Sequence, residues 1–241
     1  MSEIVFDRPE YMRINAVREE WLRKVLDKLP FRSRLVEALD LGCGAGYFSK
    51  VLWDLGMRVT GLDLRPTNIE LCRRRYPGIT FGEINLDSLT EGDANALGRF
   101  DLVLMFGLLY HLESPLQAVR QLAPCIGQVA IVETRVAQGN AVGCYFHREH
   151  LGDDQNAARI VAVPTFPALA GMFSWSGVPY VYVTEDQPVH EQWDSRRYPN
   201  GVRRQFIIAR EEIVLPGFTR VEAPEPLQKW QPIPGLDRVE K

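Results

Sequence analysis

Hydrophobic positions recur along this chain in two rhythms. Over residues 8–29, Tyr11, Ile14, Val17, Trp21, Val25 and Leu29 return every third or fourth position. That is the spacing of one helix face, and Arg, Glu and Lys fill the other side. Pro30 cannot continue the helix and ends it. From residue 34 onwards, short continuous apolar runs alternate with segments of helical spacing. The runs at 34–41, 58–63, 79–86, 100–106 and 128–133 predict strands, and the segments at 46–55, 67–75 and 115–123 predict helices. Strands without polar alternation are expected to be buried on both faces, as in a parallel sheet. Strands and helices alternating through short links predict an α/β class: a doubly wound sheet with helices on both faces.

The rhythm fails over 134–164. Arg135 to Asn140 and His147 to Asp154 mix turn formers with charges of both signs. A connection this long is more often functional than idle. It is expected to be a substrate-side insertion, a mobile lid over the acceptor. A helix at 166–176 and strands at 178–184 and 203–209 follow. A loop joins those two strands, so they read as an antiparallel pair at the sheet edge. Pro216, Pro224, Pro226, Pro232 and Pro234 mark 211–241 as an extended surface tail. Three units are therefore expected: an N-terminal helical cap at 1–33, a central domain at 34–210 and the tail. Two readings of the cap stay open. It packs across the domain, or it covers a ligand and brings Tyr11 and Arg13 to it.

The first predicted strand runs into Asp40-Leu41-Gly42-Cys43-Gly44-Ala45-Gly46 and then into a helix. Glycines let the backbone turn tightly and let a ligand approach where no Cβ stands. A dinucleotide fingerprint needs glycine at its sixth position, and counting from Gly42 that position is Tyr47. Asp40 would repel a phosphate but suits a ligand carrying an ammonium and a sulfonium. Asp63 ends the second strand about twenty residues on, where a carboxylate can accept hydrogen bonds from both ribose hydroxyls. Its other reading is a turn-initiating aspartate.

Asp40-x-Gly42-x-Gly44-x-Gly46 resembles motif I of the class I S-adenosylmethionine-dependent methyltransferases. The resemblance covers roughly residues 34–210. It implies a Rossmann-like methyltransferase sheet, mostly parallel with an antiparallel final strand. It implies S-adenosylmethionine as cofactor and S-adenosylhomocysteine as its product. By the same resemblance Leu64 would face the adenine. Asn85 and Leu86 would meet the adenine edge, with Asp87 as the rival. Asn85 stands where the family commonly has an acid, although its carbonyl can accept the same hydrogen bond. Phe106, Gly107 and Tyr110 would surround the methionine part. Two stretches are similar to the tRNA wobble-uridine carboxymethyl transferases and their small-molecule relatives. They are 156–173, with Val163-Pro164-Thr165 and Leu169, and Leu108-Leu109-Tyr110-His111 followed by Pro115-Leu116.

Methyl transfer from a sulfonium is an in-line displacement, and most of its catalysis can come from positioning. A hydroxyl acceptor also benefits from a base. His111 is the first candidate base, Glu133 the second and His147 the third. His147 and His150 have H-x-x-H spacing, but no further ligands complete a set, so no metal is expected. The expected function is methyl transfer to a hydroxyl or amine of a small metabolite or sugar. One alternative is a tRNA-modifying transferase using methyl or carboxymethyl donors. It would need a cation for the donor carboxylate, which the sequence does not single out. The other is a non-catalytic, cofactor-binding partner subunit.

Composition narrows the partners. The net charge of −3 over 241 residues gives no overall basic footprint, so a small-molecule acceptor is expected and nucleic acid is not. No apolar run reaches membrane-spanning length, so no membrane partner is expected. Cys43, Cys72, Cys125 and Cys144 form no C-x-x-C pair and read as reduced thiols of a cytoplasmic protein. The sequence does not set the oligomeric state; a homodimer is the candidate.

Overall fold

The computed structural model describes residues 5–148, 160–184, 186–194 and 201–226. Parallel strands β1 (Glu37–Leu41), β2 (Arg58–Asp63), β3 (Thr80–Glu83), β4 (Phe100–Phe106) and β5 (Ile126–Val136) form one half of a sheet. β8 (Tyr180–Val183), β9 (Val202–Ala209) and β10 (Thr219–Val221) form the other half. The order is β10-β8-β9-β5-β4-β1-β2-β3, and β9 and β10 run against the rest. This is the mostly parallel, doubly wound sheet the sequence predicts.

Helices α1 (Pro9–Lys28), α2 (Tyr47–Asp54) and α3 (Pro66–Arg75) cover one face. α4 (Glu91–Leu97), α5 (Pro115–Leu122) and α6 (Phe166–Trp175) cover the other. Successive strand residues point to opposite faces. Thus Leu102 and Leu104 of β4 join the α1–α3 core, while Val103 and Met105 join the α4–α6 core. Burial on both sides is why these strands read as unbroken apolar runs. The Asp101 carboxylate accepts from the backbone N–H groups of Val36 and Glu37, each at 2.9 Å, and latches the start of β1 to β4.

The structure corrects several expectations. β9 does not lie at the edge: it inserts between β5 and β8, pairing antiparallel with both. The edge strand is β10, which lies within the stretch expected to be a surface tail. Residues 227–241 of that tail lie outside the described residues. β5 continues three residues past Glu133 because Thr134, Arg135 and Val136 pair with Arg204, Arg203 and Val202. α4 was not foreseen. Its signal is the capping box, in which Thr90 N–H donates to Asp93 Oδ2 at 3.0 Å and Asp93 N–H to Thr90 Oγ1 at 3.2 Å.

Of the expected lid, β6 (Cys144–Arg148) and β7 (Ile160–Pro164) form an antiparallel hairpin. Val161, Ala162 and Val163 are buried, and Ala162 N–H donates to Leu112 O at 2.9 Å. The described part of the hairpin therefore packs behind the loop that follows β4. Residues 149–159, including His150, lie outside the described residues.

Candidate active site

A cavity of about 1050 Å³ opens beyond the C-terminal ends of β1, β2, β4 and β5, under the first half of α1. Its floor is the glycine turn. Gly44 has φ +54°, and a Cβ there would stand 3.0 Å from the Phe6 ring. A side chain at this position would be strained and would collide with that ring. The residues before α1 thus lie against the turn, and an Asp7–Arg75 ion pair at 2.5 Å ties them to α3. Tyr11 and Arg13 line the cavity. Farther along the same helix, Trp21, Leu22, Val25 and Leu26 are buried in the core. The first half of α1 thus borders the cavity, and its second half packs across the domain.

Asp63 lines the cavity and is held from three sides. Its Oδ2 accepts from Gly44 N–H at 2.9 Å, and its Oδ1 accepts from Arg65 N–H at 3.0 Å and Asn68 Nδ2 at 2.9 Å. Gly42, Leu64, Asn85, Leu86, Asp87, Phe106 and Gly107 line the same cavity. Asn85 Oδ1, the expected adenine acceptor, already accepts from Asp87 N–H at 3.1 Å. Asp87 Oδ1 accepts from Ser114 N–H at 3.0 Å.

Two motif residues do not reach the cavity. Asp40 is 2% exposed and takes a 2.6 Å hydrogen bond from Ser49 Oγ beneath α2. Burial raises its pKa to about 6. Gly46 is the N-cap of α2. The expectation that Asp40 faces the ligand is corrected: strand alternation turns its side chain under the helix.

A cluster of charges forms the other end of the cavity. Glu133, at the sheet's C-terminal edge, is fully buried between two arginines. Arg203 Nη1 donates to its Oε1 at 2.6 Å, and Arg18 Nη2 stands 2.5 Å from its Oε2. Arg203 also donates from Nη2 to Tyr110 Oη at 2.8 Å and from Nε to Gln192 Oε1 at 2.6 Å. Arg18 Nη1 donates to Asn15 Oδ1 at 3.0 Å. The Arg135 guanidinium lies over the Tyr110 ring, 5.2 Å from its centroid, and Arg203 lies 5.0 Å from it. His111 packs against the same ring at 4.0 Å. Gly107, with φ +68°, leaves room for this assembly: a Cβ there would stand 3.2 Å from Arg18 Nη2.

These contacts bear on the second and third candidate bases. Burial works against the charged form of Glu133, but Arg18 and Arg203 outweigh it and hold its pKa below the usual carboxylate value. Such a group is a poor proton acceptor, and it does not line the cavity. His147 is exposed on β6 and does not line it either. His111 does line it. Burial raises the pKa of Tyr110, but the charges of Arg203 and His111 bring it down to about 8.

Sequence reasoning missed Arg18, Arg135, Arg203, His190 and Gln192, all of which line the cavity. Arg18 had a signal, because it falls on the apolar Ile14–Trp21–Val25 face, where a buried charge needs a partner. Gln192 had none: it belongs to a loop between β8 and β9. Among the described residues, no group of acids, histidines and cysteines could hold a metal.

Residues 39–126 match the family described as a methyltransferase domain. The chain is 29% identical over 164 residues to a tRNA U34 carboxymethyltransferase of Mannheimia succiniciproducens, covering 66% of this chain and 49% of that protein. It is 30% identical over 119 residues to a ubiquinone biosynthesis O-methyltransferase of Albidiferax ferrireducens, covering 47% and 44%. The chain thus spans about half the length of these curated relatives. The N-terminal domain of EvdMO1, solved with S-adenosylhomocysteine bound, superposes with a TM-score of 0.62 at 17% identity, over 80% of this chain and 79% of that one. These findings bear out the resemblance read from the glycine motif and the fold it implied.

Proposed function

We propose that this protein transfers the methyl group of S-adenosylmethionine to a hydroxyl or amine of a small molecule. The observation that carries the reading is one continuous cavity with two differently built ends. Asp63, Leu64 and Asn85–Asp87 offer hydrogen-bond partners and an apolar face for a nucleoside at one end. His111 and Tyr110 stand at the other. Phe106 and Gly107 line the same cavity, where the methionine part would sit on this reading.

The chemistry asks little beyond alignment. The acceptor atom approaches the methyl carbon opposite the sulfur, and the sulfonium leaves as a neutral thioether. Holding donor and acceptor in line supplies most of the rate. His111 takes the acceptor's proton, as a histidine within hydrogen-bond reach of a bound hydroxyl can. A cytoplasmic location belongs to the same proposal and rests on four free cysteines. Among the described residues, no helix is long and apolar enough to cross a membrane.

Calorimetry tests the cofactor, with S-adenosylmethionine and S-adenosylhomocysteine expected to bind and NAD not. A panel of hydroxylated and aminated acceptors tests turnover. Cofactor binding without turnover of any acceptor would favour a non-catalytic partner subunit. A second reading is a tRNA-modifying carboxymethyl transfer. It is supported by the relatives of that name and by arginines that could hold a donor carboxylate. Salt-sensitive tRNA binding would single it out.

A further inference from the structure

We propose that the acceptor carries an acidic group, a carboxylate or phosphate, which sits on Arg135 against the Tyr110 face of the cavity. This deepens, and rests on, the reading of the cavity as a methyl-transfer site.

The guanidiniums of Arg18, Arg135 and Arg203 line this end, Glu133 is the carboxylate paired with Arg18 and Arg203, and Arg13 and Glu191 line the same cavity near His190. Asn15, Gln192 and Tyr110 satisfy N–H groups but bring no formal charge. The register of β5 and β9 sets Arg135 directly opposite Arg203. Like charges facing each other on neighbouring strands repel, so the pair is unfavourable unless something anionic joins it. Glu133 can offset one of its two arginines. Among the described residues, Arg18 Nε, in a side chain only 9% exposed, meets no hydrogen-bond partner. The methionine carboxylate of the cofactor can offset one further charge, and Arg18, against Gly107, is nearest to its place.

Arg135 is then left over. Among the described residues it makes no ion pair, and its contact is the face of the Tyr110 ring. That ring orders the guanidinium without neutralising it. At ~4.8 Å per strand, β5 ends about 10 Å across the sheet from β1 and its glycine turn. That distance sets Arg135 past the methionine position, where an acceptor would lie. A planar guanidinium fixed by a ring suits the two-oxygen grip of a carboxylate or phosphate. The lowered pKa of Tyr110 points the same way: this end of the cavity favours negative charge.

Calorimetry on the protein loaded with S-adenosylhomocysteine tests the idea without knowledge of the natural acceptor. The probes are 4-hydroxybenzoate, its neutral amide and inorganic phosphate. One of the anions should bind roughly ten- to a hundredfold more tightly than the amide. Arg135→Gln should abolish that preference, Arg135→Lys should keep part of it, and both should bind S-adenosylhomocysteine like the parent. Equal binding of acid and amide with no phosphate binding overturns the proposal, as does a preference that survives Arg135→Gln. A tenfold loss of S-adenosylhomocysteine affinity in Arg135→Gln overturns it too, by assigning Arg135 to the donor. A parent protein that binds no S-adenosylhomocysteine refutes the methyl-transfer reading itself.

Discussion

The two ends of the cavity are built by different means. At the β1–β2–β3 end, the surface is made of the glycine-turn backbone and of side chains that follow β2 and β3 directly, with Asp63 held by its neighbours. Arg65 N–H and the Asn68 amide from its own strand–turn–helix unit, and Gly44 N–H from the neighbouring one 19 residues earlier, converge on Asp63. At the β4–β5–β9 end, the surface is made of side chains brought together from across the chain. Tyr110 and Arg203 are separated by 93 residues, and Glu133 and Arg203 by 70. The first end suits a ligand that never changes. The second end can be altered by substituting single side chains while the sheet remains as it is, which is how one scaffold serves many acceptors.

The sharpest way to separate the ends is His111→Ala. Turnover should fall about 10²–10⁴-fold if His111 takes the proton, while S-adenosylhomocysteine affinity holds. If affinity falls and the single-turnover rate does not, His111 belongs to the cofactor end. Glu133→Ala strikes the charged end through stability. It leaves Arg18 and Arg203 buried without their carboxylate, and a loss of about 3–5 kcal/mol is expected in denaturant unfolding. A loss under 1 kcal/mol would mean that water or another group neutralises them.

Asp40, under the cofactor end, should show its burial as a pH dependence. Its folded pKa is about 6, above the ~3.9 of an unfolded aspartate. Between those values the folded state holds a proton that the unfolded state has lost, so stability falls as pH rises and levels off above pH 6. Relative to Asp40→Asn, the fall should be at most about 3 kcal/mol. A flat difference between pH 4 and 6 would mean Asp40 titrates normally. Asp63→Ala is expected to have the smallest effect, weakening cofactor binding by roughly 1.5–3 kcal/mol with the fold intact. Unchanged affinity would put the ribose contact elsewhere and erase the contrast between the ends.

The glycine-turn end was the legible one. A strand, three glycines and a helix lie within residues 37–54, so the sequence carries their geometry directly. Strands β2 and β4 were read to the residue: Leu102 to Phe106 of β4 form a continuous buried apolar run, while β2 is a short stretch bracketed by Arg58 and Asp63. Asp40 was legible as an acid before the glycines, but not that strand alternation turns its side chain under α2 to Ser49. The full length of β5 was missed for a similar reason. Mixed charge over 134–164 looks like a loop, yet β5 extends because β9 lies beside it, and that pairing is not written locally.

The sequence by itself determined the layered sheet, its cofactor-side turn and the helical stripe of α1, since periodicity and glycine are local constraints on the backbone. Only the tertiary structure decided where the charges meet. Arg18 comes from a helix, Tyr110 from a loop, Glu133 and Arg135 from one strand and Arg203 from its antiparallel neighbour. A buried ion pair depends on distances of a few ångströms between residues far apart in sequence. The insertion of β9 beside β5 sets those distances here, and no local pattern in the chain announces that insertion.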